Sequence, residues 1–152
     1  MILLLALLIG IVAGLRAMTA PAVVAFAARF GELSLAGTPL AWMGYAWTPW
    51  IFGIAALGEL VTDQLPSTPS RKVPPQFGAR IIMGGLSGAC IGAAHLSLIG
   101  GLIAGAIGAV IGTLGGATAR AKMAAAFRSD VPAALIEDVI AIALALVVVL
   151  AA

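Results

Sequence analysis

GELVTDQLPSTPSRKVPP, residues 58–75, is the stretch from which the fold of this chain is interpreted. It begins within an apolar run, WTPWIFGIAALGELV, and carries two acids, Glu59 and Asp63, four residues apart. On a helix these two side chains lie on one face. The stretch then leaves the apolar run through two prolines and ends on two bases, Arg71 and Lys72. We therefore predict the cytoplasmic end of a transmembrane helix, where an acid marks a functional site or else a structural ion pair.

The composition of the chain is that of a membrane protein. Of 152 residues, 62% are hydrophobic and 9% are charged, and the mean hydropathy is +1.18. Soluble domains average about 45–50% apolar and about 25% charged residues. The apolar runs are long enough to cross a bilayer, which takes about 20 residues per helix. The bases gather in loops and form no basic stripe, so we expect no nucleic-acid partner.

The pattern of apolar runs predicts one all-α domain over residues 1–152. It is a polytopic transmembrane helix bundle of about five spans, within a range of four to six. Pro21 predicts a kink or break near residues 18–20, so that residues 1–28 form either one broken span or two helical pieces. Pro66 and Pro69 lie in the loop after the second span, and Pro132 suits the first turn of the last helix, with Ser129 or Asp130 as its cap. The predicted spans are 1–28, 47–65, 79–98, 101–118 and about 132–152, with a basic loop or interfacial helix at 119–131.

Glycines recur at four-residue spacing in the third and fourth predicted spans. Small residues at this spacing let helix backbones approach closely in lipid. The two rows offer more close-packing surface than five short helices need within one protomer. We therefore predict a homo-oligomer that packs partly through Gly105, Gly108 and Gly112.

Basic residues are concentrated in two loops, which predicts the orientation of the chain. One group lies in the second loop and the start of the third span, and the other in the fourth loop. By the positive-inside rule these loops are cytoplasmic, which places the N-terminus inside and the C-terminus outside for five spans. An even number of spans follows if residues 1–28 cross twice or re-enter. The two groups are Arg71, Lys72 and Arg80, and Arg120, Lys122 and Arg128.

Four aromatic residues cluster where the first loop meets the second span. Tryptophan and tyrosine are enriched at membrane–water interfaces. The cluster is therefore typical of an interfacial belt, with simple packing of the rings as the alternative. Its members are Trp42, Tyr45, Trp47 and Trp50.

The charged residues of the apolar runs form the candidate site. A charge at the bilayer centre costs about 2.5–3.5 kcal/mol on insertion scales, so we expect these groups to pair. Arg16 has the most to gain from a partner, and Glu59 is the predicted first choice. The alternative is a set of structural ion pairs that tie the helices together. The intramembrane site is predicted to comprise Arg16, Glu59, Asp63, Arg120, Glu137 and Asp138, and a lipid-headgroup or phosphate set to comprise Arg71, Lys72 and Arg80.

Motifs of catalysis, metal binding or cofactor binding do not occur in the sequence. The single histidine and the single cysteine both lie in apolar runs and cannot build a zinc site by the usual spacing. The helical glycines do not match a phosphate-binding loop. We therefore expect no metal, no cofactor and no catalytic residue.

Four segments resemble a bacterial membrane family, the domain of unknown function four-one-two-six. They are GLRAMTAPAVVAFAA, GELVTDQLPSTPSR, GARIIMGGLSGA and GAVIGTLGGATARAK, and the second is the most specific. The resemblance covers nearly the whole chain. It implies a small multi-span protein of the bacterial inner membrane and carries no established activity.

Three classes of function are compatible with these features. The first is a transporter or channel component that binds an ion or small molecule at a charged site near the cytoplasmic side. The second is an enzyme or binding protein that acts on a lipid headgroup, with Glu59 or Asp63 as a base. The third is a non-catalytic membrane scaffold. All three have membrane lipids as partners, and the sequence favours a non-enzymatic role.

Overall fold

A computed structural model describes residues 1–64 and 70–152 of the chain. These residues form six α-helices and one short 3-10 helix, Ala41–Gly44, and contain no strand. The predicted all-α class is confirmed for the described part of the chain. In chain order the helices are α1 (Ile2–Leu15), α2 (Thr19–Phe30), α3 (Thr48–Thr62), α4 (Pro74–Ala93), α5 (Leu98–Phe127) and α6 (Asp130–Leu150).

The predicted break in the first apolar run is confirmed, and it lies at residues 16–18. Extended backbone at Arg16 ends α1, and α2 begins at Thr19. Pro21 is the third residue of α2, where its missing N–H falls among the donors that have no partner within the helix. The proline therefore belongs to the start of a new helix and does not bend a continuous one.

The break reverses the chain, so that α1 and α2 form a hairpin with Arg16 at its tip. Helix α1 runs parallel to α5, because Gly10 lies against Gly105 and Gly14 lies against Thr113. Helix α2 returns, and its last residue, Phe30, lines an apolar groove together with residues from the end of α6. The six helices consequently alternate in direction.

Alternation places both chain termini at one end of the bundle, here called the terminal end. The loops with Arg71 and Arg128 lie at the other end, here called the basic end. The prediction of an N-terminus on the same side as the basic loops is therefore wrong. The even-numbered alternative, in which residues 1–28 turn back, describes the observed arrangement.

The number of membrane spans is not confirmed at five. Within residues 1–64 and 70–152, two helices, α5 and α6, are long and apolar enough to cross a membrane. Helices α1, α2 and α3 are apolar but have only 14, 12 and 15 residues. At 1.5 Å per residue such helices reach about 18–22 Å, less than the hydrocarbon core of about 30 Å.

Glycine rows bring α1, α4 and α5 into backbone contact, as predicted for close helix packing. A Cβ atom at Gly88 would collide with the carbonyl of Gly101, and one at Gly105 with the carbonyl of Gly84. On the adjoining face of α5, a Cβ at Gly108 would collide with the carbonyl of Leu7 in α1. These contacts occupy the glycines within one protomer. The predicted oligomer interface through Gly105, Gly108 and Gly112 is therefore wrong.

Several predicted boundaries shift. Helix α5 continues to Phe127, so residues 119–127 are helical and extend the fourth predicted span. Helix α4 begins at Pro74, five residues before the predicted start. Ser129 holds the N-cap position of α6 but makes no capping hydrogen bond with its side chain. The predicted end of the second span at Leu65 and the loop prolines Pro66 and Pro69 lie outside the described residues.

Candidate functional site

At the break, the C-terminus of α1 and the N-terminus of α2 both lie inside the bundle. A helix end leaves backbone groups without intrahelical partners. Arg80 of α4 donates from Nη1 to the carbonyl oxygens of Gly14, at 2.9 Å, and Leu15, at 2.7 Å. The Glu59 carboxylate of α3 accepts from the backbone N–H groups of Ala17 and Met18, at 2.8 Å each. A cation thus caps the C-terminus of α1 and an anion the N-terminus of α2, which is the favourable arrangement for both helix dipoles.

Arg16, at the hairpin tip, is fully buried and is held by acids from two other helices. Its Nε donates to Oδ1 of Asp138 at 2.5 Å, and its Nη1 pairs with Asp63. Glu137 lies farther away, with Oε2 at 3.9 Å from Nη2. The predicted pair of Arg16 with Glu59 is therefore wrong. The Glu59 carboxylate instead accepts hydrogen bonds from the backbone N–H groups of Ala17 and Met18, which have no partner within α2.

Two further arginines link the basic end to these charges. Arg71 makes a bidentate pair with Glu137, at 2.5 and 2.8 Å. Arg120 makes another with Asp130, at 2.9 and 2.5 Å, and its Nη1 lies 3.5 Å from Glu137. Its Nη2 also donates to the backbone carbonyl of Asp63 at 3.1 Å. The contacts of Glu137 and Asp63 thus join the inner and outer pairs into one network.

We call this network the charge cluster. It contains four arginines and five carboxylates, so its formal charge is −1 when all groups are ionised. The burial of its members decreases from Arg16, with no exposed side-chain area, to Asp130, whose side chain is 58% exposed. The members are Arg16, Arg71, Arg80, Arg120, Glu59, Asp63, Asp130, Glu137 and Asp138.

All six residues predicted for the intramembrane site belong to the charge cluster. Arg71 and Arg80, predicted to hold phosphate, also belong to it and are engaged by carboxylates. Lys72 is exposed and makes no ion pair with any residue in the described ranges. Asp130 was predicted only as a helix cap. Its position ten residues after Arg120, across the turn between α5 and α6, is the sequence signal for its actual role.

Apart from Nη2 of Arg16, which is in ion-pair contact with Asp138, two buried polar atoms in this region have no hydrogen-bond partner among the described residues. They are Oγ1 of Thr19 and Nε of Arg80, and the two residues are only 4% and 2% exposed. Buried polar groups in proteins nearly always find a partner, often a water or ligand atom. Thr19 directly follows Met18, and Arg80 contacts Glu59 at 3.5 Å. Both atoms therefore belong to residues that frame the capped break.

A cavity of about 190 Å³ adjoins the charge cluster. It is lined by residues of α1, α5 and α6, among them Leu15, Gly116 and Ile140. Glu137 is the charged residue among those that line it. The carboxylate that links the inner and outer pairs thus lies beside open, mainly apolar space.

Comparisons of the chain with family models, curated proteins and solved structures find no match. Burial, charge and helix geometry therefore carry the functional interpretation.

Proposed function

We propose that this chain is a small polytopic protein of the bacterial inner membrane and a transporter or channel component. The observation that carries the proposal is the broken α1–α2 hairpin, whose ends meet at the charge cluster inside the bundle. Non-helical backbone at membrane depth is tolerated only where protein or a water-filled cavity surrounds it. In transporters, the ends of such discontinuous helices bind the substrate and the coupling ions. Buried charges at such a break support the same role.

The membrane location is supported by an inverted distribution of polarity. Arg16 and Arg80 are among the largest fully buried side chains, whereas apolar side chains cover the outside of the helices. Ile54 of α3 is 70% exposed and Val139 of α6 is 67% exposed. A soluble protein keeps charges at the surface, since an unsolvated charge costs several kcal/mol. In a bundle surrounded by lipid, apolar side chains are favoured at the surface and charged side chains in the interior. The exposed rings of Tyr45 and Trp47 at the terminal end suit an interfacial belt.

The orientation follows from the basic end. Its lysines and arginines belong on the cytoplasmic side by the positive-inside rule. Because the termini lie at the opposite end, we propose that both face the periplasm. This replaces the orientation expected for five spans.

Cysteine labelling tests this topology. In a Cys90→Ala background, we expect Arg128→Cys to react with a membrane-impermeant maleimide only after the cytoplasmic side is opened. Glu32→Cys, at the terminal end, should react from outside in intact cells. Labelling after denaturation controls for expression of each variant. Reaction of both positions from the same side would contradict the proposed topology.

Two other functions have different degrees of support. A non-catalytic scaffold is favoured by the mutual pairing of the cluster, in which Arg71 and Glu137 satisfy each other bidentately. An enzyme of lipid headgroups has less support, because Arg71 and Arg80 are already occupied by carboxylates and carbonyls. The resemblance to the domain of unknown function four-one-two-six agrees with all three, and membership in that family stays a prediction, as does a homo-oligomer.

Electrical recording on proteoliposomes separates transport from scaffolding. On a solid-supported membrane, we expect the wild type to give transient currents when at least one small ion, from a panel of cations and anions at several pH values, is added. Asp138→Asn should reduce the current to that of empty liposomes, because it disrupts the pairing at the break. Glu32→Gln, an acid outside the cluster, should keep it. Size-exclusion profiles control for folding. Absence of current with every ion would favour the scaffold.

A further inference from the structure

We infer that the N-terminus of α2 is a binding site for a small carboxylate ligand, which Glu59 occupies as an internal substitute. The inference deepens the proposed function, because it names the class of substrate for a site at the broken hairpin. It begins with the geometry of Glu59. One carboxylate oxygen accepts from Ala17 N–H and the other from Met18 N–H, each at 2.8 Å. Two parallel donors that meet two oxygens form a receptor for a carboxylate.

The local backbone explains why an anion binds at this position. The first N–H groups of a helix point outward without partners, and the helix dipole adds partial positive charge there. Helix α2 has 12 residues, and its N-terminus lies inside the bundle, away from bulk water. Arg80 adds a full positive charge, with Nη2 at 3.5 Å from the Glu59 carboxylate. The site therefore attracts a carboxylate whether or not that carboxylate is part of the chain.

Glu59 leaves part of the available hydrogen-bonding capacity unused. Oγ1 of Thr19 and Nε of Arg80 have no partner among the described residues, although both residues are more than nine-tenths buried. Thr19 is the first residue of α2 and Arg80 contacts Glu59 directly. Buried polar atoms in proteins nearly always have a partner, so these two unpartnered groups beside the capped N-terminus are the second observation from which we infer a ligand.

The helix that carries Glu59 is weakly anchored in the bundle. Of the 15 residues of α3, only Pro49 and Ala56 are buried. The helix packs against α2 and the 3-10 helix, and its inner end is held through Glu59 and Asp63. Release of Glu59 would leave the glycine-packed core of α1, α4 and α5 intact, because α3 is not part of that core.

The net charge of the charge cluster indicates that the ligand replaces the Glu59 carboxylate and does not bind beside it. The charge cluster has a formal charge of −1, and an additional anion would raise the repulsion within a buried site. Exchange of one carboxylate for another leaves the total unchanged. Binding of the ligand is therefore coupled to release of Glu59 from the N–H groups of Ala17 and Met18, while Asp63 keeps its pair with Arg16.

Chemical rescue tests the site. Glu59→Ala, in nanodiscs of phosphatidylcholine, should unfold at a lower temperature than the wild type. We expect sodium acetate to restore the midpoint saturably, compared with sodium chloride at equal ionic strength. The apparent affinity should be at least about tenfold tighter than in the wild type, because the tethered Glu59 carboxylate competes at high effective concentration. Glu59→Gln should not be rescued, since its amide fills the space, and Glu32→Ala should respond as the wild type does.

Three further measurements identify the source of the carboxylate and separate this inference from the proposed function. Rescue in nanodiscs that contain phosphatidylserine, without acetate, would assign the carboxylate to a lipid headgroup; rescue by acetate alone assigns it to a free acid. If Glu59→Ala cannot be recovered folded, the same measurement is made on the wild type. Sodium acetate should raise its unfolding midpoint more than sodium chloride does, and equal midpoints in the two salts would overturn the inference. Equal effects of acetate and chloride on Glu59→Ala would overturn it as well. Ion currents without any acetate effect would refute the carboxylate site but support transport. Acetate binding without currents would support the carboxylate site but contradict transport.

Discussion

Replacing Arg16 with alanine should lower the free energy of unfolding by about 3–5 kcal/mol, the usual cost of removing one partner from a buried ion pair. Arg16 is fully buried and pairs with Asp63 and Asp138. Without the guanidinium, these acids remain close together with no positive charge between them. Buried carboxylates that lack a counter-charge repel each other and are poorly solvated, which costs stability.

Reversible unfolding in mixed micelles would measure this loss, with Arg29→Ala as the control. Arg29 is exposed at the end of α2, so its replacement should change stability by less than about 0.5 kcal/mol. A double-mutant cycle of Arg16→Ala with Asp138→Asn should give a coupling energy of about 0.5–3 kcal/mol. The cycle with Glu59→Gln should give less, because Glu59 binds backbone groups. A larger coupling with Glu59 would contradict the observed pairing.

Gly105→Ala should destabilise the bundle by about 1–3 kcal/mol, the range for overpacking of a close-packed interior. A Cβ at Gly105 would collide with the carbonyl of Gly84 and approach Cα of Gly88 at 2.9 Å, and backbone cannot yield as a side chain does. Gly115, on the same helix, has no such neighbour within 4 Å. There the change to alanine should raise stability by up to about 1 kcal/mol, because alanine forms helices better than glycine.

The same unfolding assay compares the two alanine variants directly. Opposite signs are expected, with Gly105→Ala less stable and Gly115→Ala as stable as the wild type or more so. Equal changes would mean that α4 and α5 do not touch at Gly105. Assembly size in mild detergent should be the same for both folded variants, since the contact lies within one protomer.

The sequence predicts the helices of this protein better than their directions. Long apolar runs and Pro21 indicate helices and a break, and both are found. Whether a chain continues or turns back after a break depends on the extended backbone at Arg16 and on what α2 then meets. Those contacts come from α3, α4 and α6, which a local pattern does not contain. The predicted position of the N-terminus at the same end as the basic loops is wrong for this reason.

The charged residues of the site were predictable, but their pairing was only partly so. A charge in an apolar run must find a partner, which brings Arg16 and the acids together. Glu59 lies in the last turn of α3 and Asp63 directly follows that helix, and nothing in their spacing shows which of them reaches Arg16. The outcome depends on the N–H groups of Ala17 and Met18, which bind Glu59 and leave Asp63 for Arg16. No sequence pattern identifies the backbone N–H groups that a helix break leaves without partners.

The glycine rows illustrate a similar limit. Their spacing correctly indicates close helix packing, but a packing surface does not identify its partner. Gly10 and Gly14 of α1 supply the complementary surface for α5 within the same chain. Gly105, Gly108 and Gly112 are therefore filled by α1 and α4 of the same chain and are not free to pack against a second copy.

The ion pair between Arg16 and Asp138 joins residues 122 positions apart, and this separation has a consequence for biosynthesis. A ribosome adds about 5–20 residues per second, so Asp138 is made roughly 6–24 seconds after Arg16. During that interval one carboxylate that neutralises the hairpin tip does not yet exist. Until α6 is made, Asp63 is the acid of the observed pairs that is already available to Arg16. A chain interrupted before α6 would keep Arg16 without its Asp138 partner, so neutralisation of the hairpin tip is completed only by the last helix to be made.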